Sequence, residues 1–460
     1  MSAVAASPPE PSVLRRSMRL LTWEGVTRTM GMSLCSGVFL AGFAAALGAD
    51  ARAMGVIGSL PYAGDLLQLA AAQIIAWAGG RKRVFIAVTI ASLLIWTALA
   101  LMAFALVPSP WLVWAFAALY GLDAFCASTR FLAWLDWMRD LVPARLRGSY
   151  FARRNRIILL AGILLSIPAA RLVDWVKSAR PEAALSAYGV IFGLAALFIA
   201  ASIFITRRIH EPPLRPVGPH GLWKSALRDT WNNQPFRRYL IWRFYMNFAI
   251  ALTSPLLTYY LIRELLYSST YIALLGVMAA LISAATLLLW GKLADRVGNR
   301  PALFLVFGIK LLWAGSFIFA TPTSYALLVL TYILSAHGDG NVLLHNNMLM
   351  KLVPRESATA SLGLFNALTM IGSVFAPILG GFIAASLPER FDLLGWAFTN
   401  WQGLILISIV LRFSATLGLI WVQEPKSMPI SHLVRIVWRV ITGEEQEPAA
   451  PNLAEEEKAE

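Results

Sequence analysis

The chain has 460 residues, of which 58% are hydrophobic and only 14% charged, with a mean hydropathy of +0.65. Soluble domains carry about 25% charged residues, so this composition excludes an ordinary soluble protein and predicts an integral membrane one. The net charge of +14 invites a nucleic-acid reading, which the placement of the cations excludes.

In chain order, the segment 12–24 sets Leu14, Met18 and Leu21 against Arg15 and Arg19 and predicts a short amphipathic surface helix. A bilayer crossing needs roughly 20 apolar residues. Twelve such runs follow, at 29–48, 54–78, 84–107, 111–135, 156–176, 184–206, 238–262, 270–290, 301–320, 324–348, 358–386 and 401–422. Between the sixth and seventh lies a polar connector holding Pro212, Pro213, Pro216 and Pro219, which reads as a solvated linker. Pro429 to Ile441 predicts a second surface helix, with Leu433, Ile436 and Val437 toward lipid and Arg435 and Arg439 toward headgroups. Glu444 to Glu460 is acidic and expected to be disordered. The expected organisation is therefore 1–28 an N-terminal segment, 29–206 a first six-helix bundle, 207–237 a linker, 238–423 a second bundle, and 424–460 a tail.

Cations cluster in alternate loops: Arg81, Lys82 and Arg83; Arg145, Arg147, Arg153, Arg154 and Arg156; Arg207, Arg208, Lys224, Arg237 and Arg238. The loops between carry few or none. Such alternation follows the positive-inside rule and predicts that both termini are cytoplasmic. The basic excess is then a matter of topology, and no nucleic-acid partner is expected. Cys35 and Cys126 both fall within spans and read as buried thiols. Trp111, Trp114, Trp134 and Trp137 lie near span ends, as an interfacial belt would.

The chain repeats itself. Leu141-Val142-Pro143 is followed twelve positions after its proline by Asn155, and Leu352-Val353-Pro354 by Asn366 at the same distance. Each copy falls after the fourth span of its half. Between the eighth and ninth runs stands a charged turn, Gly291-Lys292-Leu293-Ala294-Asp295-Arg296-Val297-Gly298-Asn299-Arg300. The first half holds a worn copy, Gly79-Gly80-Arg81-Lys82-Arg83, with Trp77 where the acid should stand.

That turn resembles the G-x-L-a-D-r-x-G-r-k/r signature of the major facilitator superfamily of transporters, matching at both outer glycines, the Leu, the Asp-Arg pair and the closing Arg. The resemblance covers roughly residues 20 to 423. It implies an all-α integral membrane fold of twelve transmembrane helices in two pseudo-symmetric six-helix bundles. It also implies that Gly291, Asp295, Arg296, Gly298 and Arg300 form a cytoplasmic gate, with Asp295 near a helix start, and that spans 1, 4, 7 and 10 surround a central cavity.

Ionisable groups within spans cost about 2.5–3.5 kcal/mol each on insertion scales, so each needs a partner or a wet cavity. Asp123 and Arg130 share one face of span 4 about 10 Å apart along the axis, too far for an easy direct pair. Arg243 and Asn247 are four apart in span 7. In span 10, His337, Asn341 and His345 step by four, with Asp339 turned away unless Gly338 and Gly340 loosen the helix. These seven site residues (Asp123, Arg130, Arg243, Asn247, His337, Asp339 and Asn341) either line a substrate cavity or cross-link helices. Asp65 in span 2 either gates or pairs with Arg130. Lys310 and Arg412, on peripheral spans, read as structural cations. For proton coupling, Asp123, Asp339 and His337 are the candidates, Asp123 first.

No G-x-x-x-x-G-K-[ST] loop, nucleophile–base arrangement or metal-ligand spacing is visible. The chain is therefore expected to be no enzyme, to hold no cofactor or metal, and to act as a monomer. Two cavity arginines against one firm acid favour a small polar or anionic organic solute, moved by alternating access across a bacterial cytoplasmic (inner) membrane. The alternative is a membrane receptor or scaffold that keeps the fold without transporting.

Overall fold

The structure of the protein is a computed structural model that describes residues 11–67, 73–75, 77–105, 110–212, 223–354, 358–393, 395–425, 427–433 and 435. In hydrocarbon every backbone polar group must be satisfied within its own segment, which helices achieve. The chain accordingly runs through α1 (Pro11–Leu34), α2 (Val38–Ala46), α3 (Ala51–Leu66), α4 (Arg81–Ala105), α5 (Pro110–Leu141), α6 (Ala144–Ala179), α7 (Ala184–Arg207), α8 (Trp223–Asn232), α9 (Gln234–Ala251), α10 (Ser254–Arg263), α11 (Ser269–Val297), α12 (Asn299–Ser316), α13 (Tyr325–Ser335), α14 (Gly338–Leu352), α15 (Ala358–Ser386) and α16 (Asn400–Gly418). Before α16, β1 (Arg390–Leu393) and β2 (Trp396–Thr399) form an antiparallel hairpin. Eleven helical stretches among the described residues are long and apolar enough to cross a membrane. The other expected span, 54–78, is helical at Ala51–Leu66 and again at 73–75, and residues 68–72 and 76 lie outside the described set.

Three expected spans are broken helices. The first is interrupted between α1 and α2, where Gly37 takes φ +57°, a conformation that glycine adopts without Cβ strain. The seventh breaks at Leu252–Thr253, just ahead of Pro255, whose ring disfavours a helical residue before it. The tenth, expected as one run at 324–348, breaks at Ala336–His337 beside Gly338 and Gly340. Span 4, by contrast, is the unbroken α5.

The expected surface helix at 12–24 is instead part of α1, which is continuous to Leu34. Its apolar residues have a protein partner: Leu21 is buried against Trp137, Met138, Leu141 and Ile209, with Leu14 and Met18 packed beside it. At the other end, Leu433 does not face lipid but joins Ile430 in a core with Phe236, Trp242 and Phe307, and Met428 N–H donates to the Val297 carbonyl. Ile436, Val437, Arg439, the acidic tail and Pro213, Pro216 and Pro219 of the connector lie outside the described residues. The connector also contains a helix, α8, which its polar composition concealed.

The chain divides into two compact units, Met1–Pro219 with Pro255–Leu274, and His220–Ser254 with Leu275–Glu460. In the first, Tyr259 donates its hydroxyl to the Ala49 carbonyl at 2.5 Å. Asp174 near the end of α6 accepts from the N–H groups of Ser269 and Thr270, at 2.9 and 2.7 Å, and so caps α11.

Candidate functional site

Within the first unit, α1, α3, α4, α5 and α7 enclose a cavity of about 260 Å³. Its charged lining is Arg28 from α1, Asp65 from α3, and Asp123 and Arg130 from α5. Cys35 and Ser36, at the break between α1 and α2, line it too. Asp123 and Arg130 do not bond each other. They turn to α4 instead: Trp96 Nε1 donates to Asp123 Oδ2 at 3.0 Å, and Arg130 Nη1 donates to Ser92 Oγ at 2.9 Å. The α4 partners are themselves four residues apart, on one helix face. Asp123 is 9% exposed, and its second oxygen, Oδ1, is buried without a hydrogen bond. Asp65 accepts from Ser128 Oγ at 2.7 Å.

Arg28, one residue ahead of the first apolar run, also lines this cavity and belongs to a charge ladder along α1. Its Nε lies 3.0 Å from Glu24 Oε1, and the same buried Glu24 faces Arg154 of α6 at 3.6 Å. Arg154 also sits over the Trp134 ring, 5.1 Å from its centroid. Glu24 and Arg28 at i and i+4 were the available signal. Trp137 is buried and donates Nε1 to the His210 carbonyl at 3.0 Å, and Trp134 is half-buried. Trp111 and Trp114 are exposed.

The second unit carries a two-rung polar ladder between α9 and α14. Tyr239 Oη and His345 Nδ1 are 2.5 Å apart, and Arg243 Nη1 donates to Asn341 Oδ1 at 3.4 Å. Tyr239 and Arg243, and Asn341 and His345, each lie one helical turn apart. Asn247, one turn beyond Arg243, is half-buried and makes no bond among the described residues. The break before α14 changes the expected stripe: His337 sits at the N-cap, edge-on to Trp290 at 5.5 Å, with Nδ1 unpartnered. Asp339, in the first turn of α14, accepts from Ser283 Oγ at 2.6 Å. Arg412, 3% exposed, bonds Ser408, Thr253, Ser254 and the Ile250 carbonyl, satisfying groups at the α9–α10 break.

The charged turn differs from its expected arrangement. Asp295 lies in the last turn of α11, not at a helix start; it is exposed and has no bond among the described residues. A carboxylate gains nothing from the helix dipole there. The acid at a helix start is Glu424, which follows α16. Glu424 accepts from the N–H groups of Asn299 and Arg300 at 3.2 and 2.7 Å, from Asn299 Nδ2 at 2.8 Å, and from Lys351 Nζ at 3.2 Å. Arg300 adds a bond from Nη1 to the Val422 carbonyl at 2.9 Å. Gly298 is required by its φ of +94° and because a Cβ would meet Ser427 Cβ at 2.7 Å. Gly291 has no such constraint: a Cβ there would meet Leu343 at an ordinary 3.8 Å. Arg296 is exposed.

The worn first-half copy is arranged alike. Glu211 accepts from the Lys82 N–H at 3.0 Å, at the start of α4. Arg81, fully buried, meets Asp140 Oδ2 at 2.5 Å and Asp136 Oδ2 at 3.2 Å on α5, and donates to the Pro212 carbonyl at 2.8 Å. The acid missing beside Trp77 is thus supplied by α5. His210-Glu211-Pro212 and Gln423-Glu424-Pro425 were the overlooked sequence echo.

Long apolar helices, and a cavity among them lined by Arg28, Asp65, Asp123 and Arg130, mark a multi-pass helical membrane protein. The Major Facilitator Superfamily model matches residues 25–343 and 247–445, and the chain belongs to that family, whose members are membrane transporters and not enzymes. The chain is 28% identical over 139 residues to the uncharacterised transporter YfiU of Bacillus subtilis, 30% of this chain and 24% of that protein. It is 26% identical over 166 residues to the multi-drug resistance efflux pump PmrA of Streptococcus pneumoniae, 35% and 39% of the two chains. The chain thus spans well under half the length of these curated relatives. The crystal structure of the nucleoside transporter NupG shares the fold, with a TM-score of 0.67 over 89% of this chain and 99% of that one at 15% identity.

Proposed function

We propose that the protein is a secondary active transporter of a small polar or anionic organic solute, working by alternating access in a bacterial cytoplasmic membrane with both termini inside. The observation that carries this reading is the first-unit cavity, where Asp123 and Arg130 meet Arg28 and Asp65 in the interior of apolar helices. Ionisable groups at such depth are costly and are retained for substrate or proton pathways. Asp123 is the proposed proton carrier, because one carboxylate oxygen is buried without a donor. Arg243, Asn247, His337, Asp339 and Asn341 are proposed to contribute a second polar surface, and Asp295 with Arg296 a gate. Arg243 belongs to the other unit and the first-unit cavity holds two arginines and two aspartates, so its lining supports a polar solute rather than a net negative charge.

Proteoliposomes test the proposal. Solute uptake driven by an inward proton gradient should appear with the wild type and disappear with Asp123→Asn. Ligand binding without flux under any gradient would replace the transporter by a receptor.

A further inference from the structure

The charge balance of the first-unit cavity points to a narrower ligand class, on the reading that this cavity is the solute site. Arg130 supplies one positive charge and Asp65 and Asp123 two negative ones, and Arg28 adds a second positive charge that Glu24 already pairs at 3.0 Å. Asp123 and Arg130 each keep a partner on α4 rather than neutralising one another. An anion entering alone would gain the arginines but confront both carboxylates at low dielectric, and a cation would meet the reverse. A ligand with both charges satisfies each end and adds no net charge to a buried site, where an unpaired ion is expensive.

We infer that the cavity binds a small zwitterion whose ammonium faces the Asp123 carboxylate, which lines the cavity and keeps one oxygen without a donor, and whose carboxylate faces Arg130. The volume of about 260 Å³ lies just below the roughly 300–1,000 Å³ of sites for drug-sized ligands, which suits a small ligand.

The test uses the full chain in detergent and in proteoliposomes, with glycine, 3-aminopropanoate, 4-aminobutanoate and 5-aminopentanoate as a spacing series. Butanoate and butylamine serve as single-charge controls. Binding measured by calorimetry should be at least tenfold tighter for at least one of the four amino acids than for either control. Asp123→Asn should erase the preference over butanoate, and Arg130→Gln the preference over butylamine. If Asp123→Asn fails to fold, Asp65→Asn, on the same wall, should reduce the preference over butanoate in its place. Equal binding of butanoate and the tightest amino acid, or no binding by any of the six, overturns the inference. Proton-driven flux of a singly charged solute would then leave the transporter reading standing. Tight, Asp123-dependent binding of one of the amino acids without flux would sustain the inference and remove transport.

Discussion

Ser128 donates to Asp65 at 2.7 Å, linking α5 to α3, and the second half repeats this rung with its members exchanged. There Ser283 of α11 donates to Asp339 of α14 at 2.6 Å. Ser128 lies fifteen residues before Pro143, and Asp339 fifteen before Pro354, so they occupy equivalent places in the internal repeat. The carboxylate has changed helices while the hydrogen bond has been kept. Both crossings are also tight: a Cβ on Gly64 would stand 2.7 Å from the Ala124 carbonyl oxygen, and one on Gly340 2.4 Å from Trp290 Cδ1.

The exchange predicts that the first-half rung tolerates the second-half polarity. Ser128→Asp alone sets two carboxylates face to face and should lower the melting temperature in detergent. Adding Asp65→Ser should recover most of the loss, with a positive coupling of about 0.5–3 kcal/mol in a double-mutant cycle. Independent, additive losses would show that the two serine–aspartate pairs are unrelated. Ser128→Ala should cost about 0.6 kcal/mol and no more than about 1.7, the mean and maximum measured for interhelical hydrogen bonds in a membrane protein.

Glu424 should matter more to stability than its counterpart. It accepts from two backbone N–H groups, a side-chain amide and Lys351, whereas Glu211 accepts from the backbone of Lys82. A partly buried carboxylate at a helix start is worth up to about 2 kcal/mol, and each charged hydrogen bond about 1.5–3 kcal/mol. Glu424→Gln is expected to destabilise by about 2–4 kcal/mol on those figures, read as a fall in melting temperature. Glu211→Gln should fall less. The reverse order would make the first-half cap the dominant one.

What the residue pattern made legible follows from what generates it. Hydrophobic runs follow directly from the cost of placing polar side chains in lipid over the thickness of a bilayer, so most spans are placed within a few residues. An aspartate and an arginine inside such a run announce themselves, which is why Asp123 and Arg130 stand out. Their partners do not: Ser92 and Trp96 are ordinary span residues, and only the rotation of α4 presents them. Arg28 was hidden by its position ahead of the apolar run, because α1 extends well before it. Glu424 was hidden because it follows the last span and reads as tail. The breaks at Leu252 and His337 have local signals in Pro255 and in Gly338 and Gly340, but Arg412, which satisfies groups freed at the first, is a tertiary partner that no local pattern displays.

The two motif glycines should separate cleanly. Gly298→Ala places a β-carbon on a residue at φ +94° and ψ +164°, a region essentially confined to glycine and costing about 1–3 kcal/mol, and pushes it against Ser427. It should lower the melting temperature and, by displacing Asn299 and Arg300 from Glu424, mimic part of Glu424→Gln. Gly291→Ala lies within α11 with open space around it and should be neutral or slightly stabilising, since alanine is the better helix former. Equal sensitivity at both would mean that the motif's glycines act through motion, not through the fixed geometry seen here.

Asp295 then offers the sharpest contrast between stability and function. It is exposed, sits at the wrong end of a helix for a cap, and has no bond among the described residues. Replacing it therefore removes nothing from this conformation: Asp295→Asn should leave the melting temperature unchanged or raise it slightly, because a negative charge in the last turn of a helix is unfavourable by about 0.3–1 kcal/mol. If the proposed gate is real, its partner is engaged only in another conformation, and the same variant should slow solute flux several-fold without altering ligand affinity at equilibrium in the detergent-solubilised protein. Flux and melting temperature both matching wild type would make the residue a solvated turn acid, and the resemblance of residues 291–300 to the family signature would then reflect the Gly298–Glu424 cap alone.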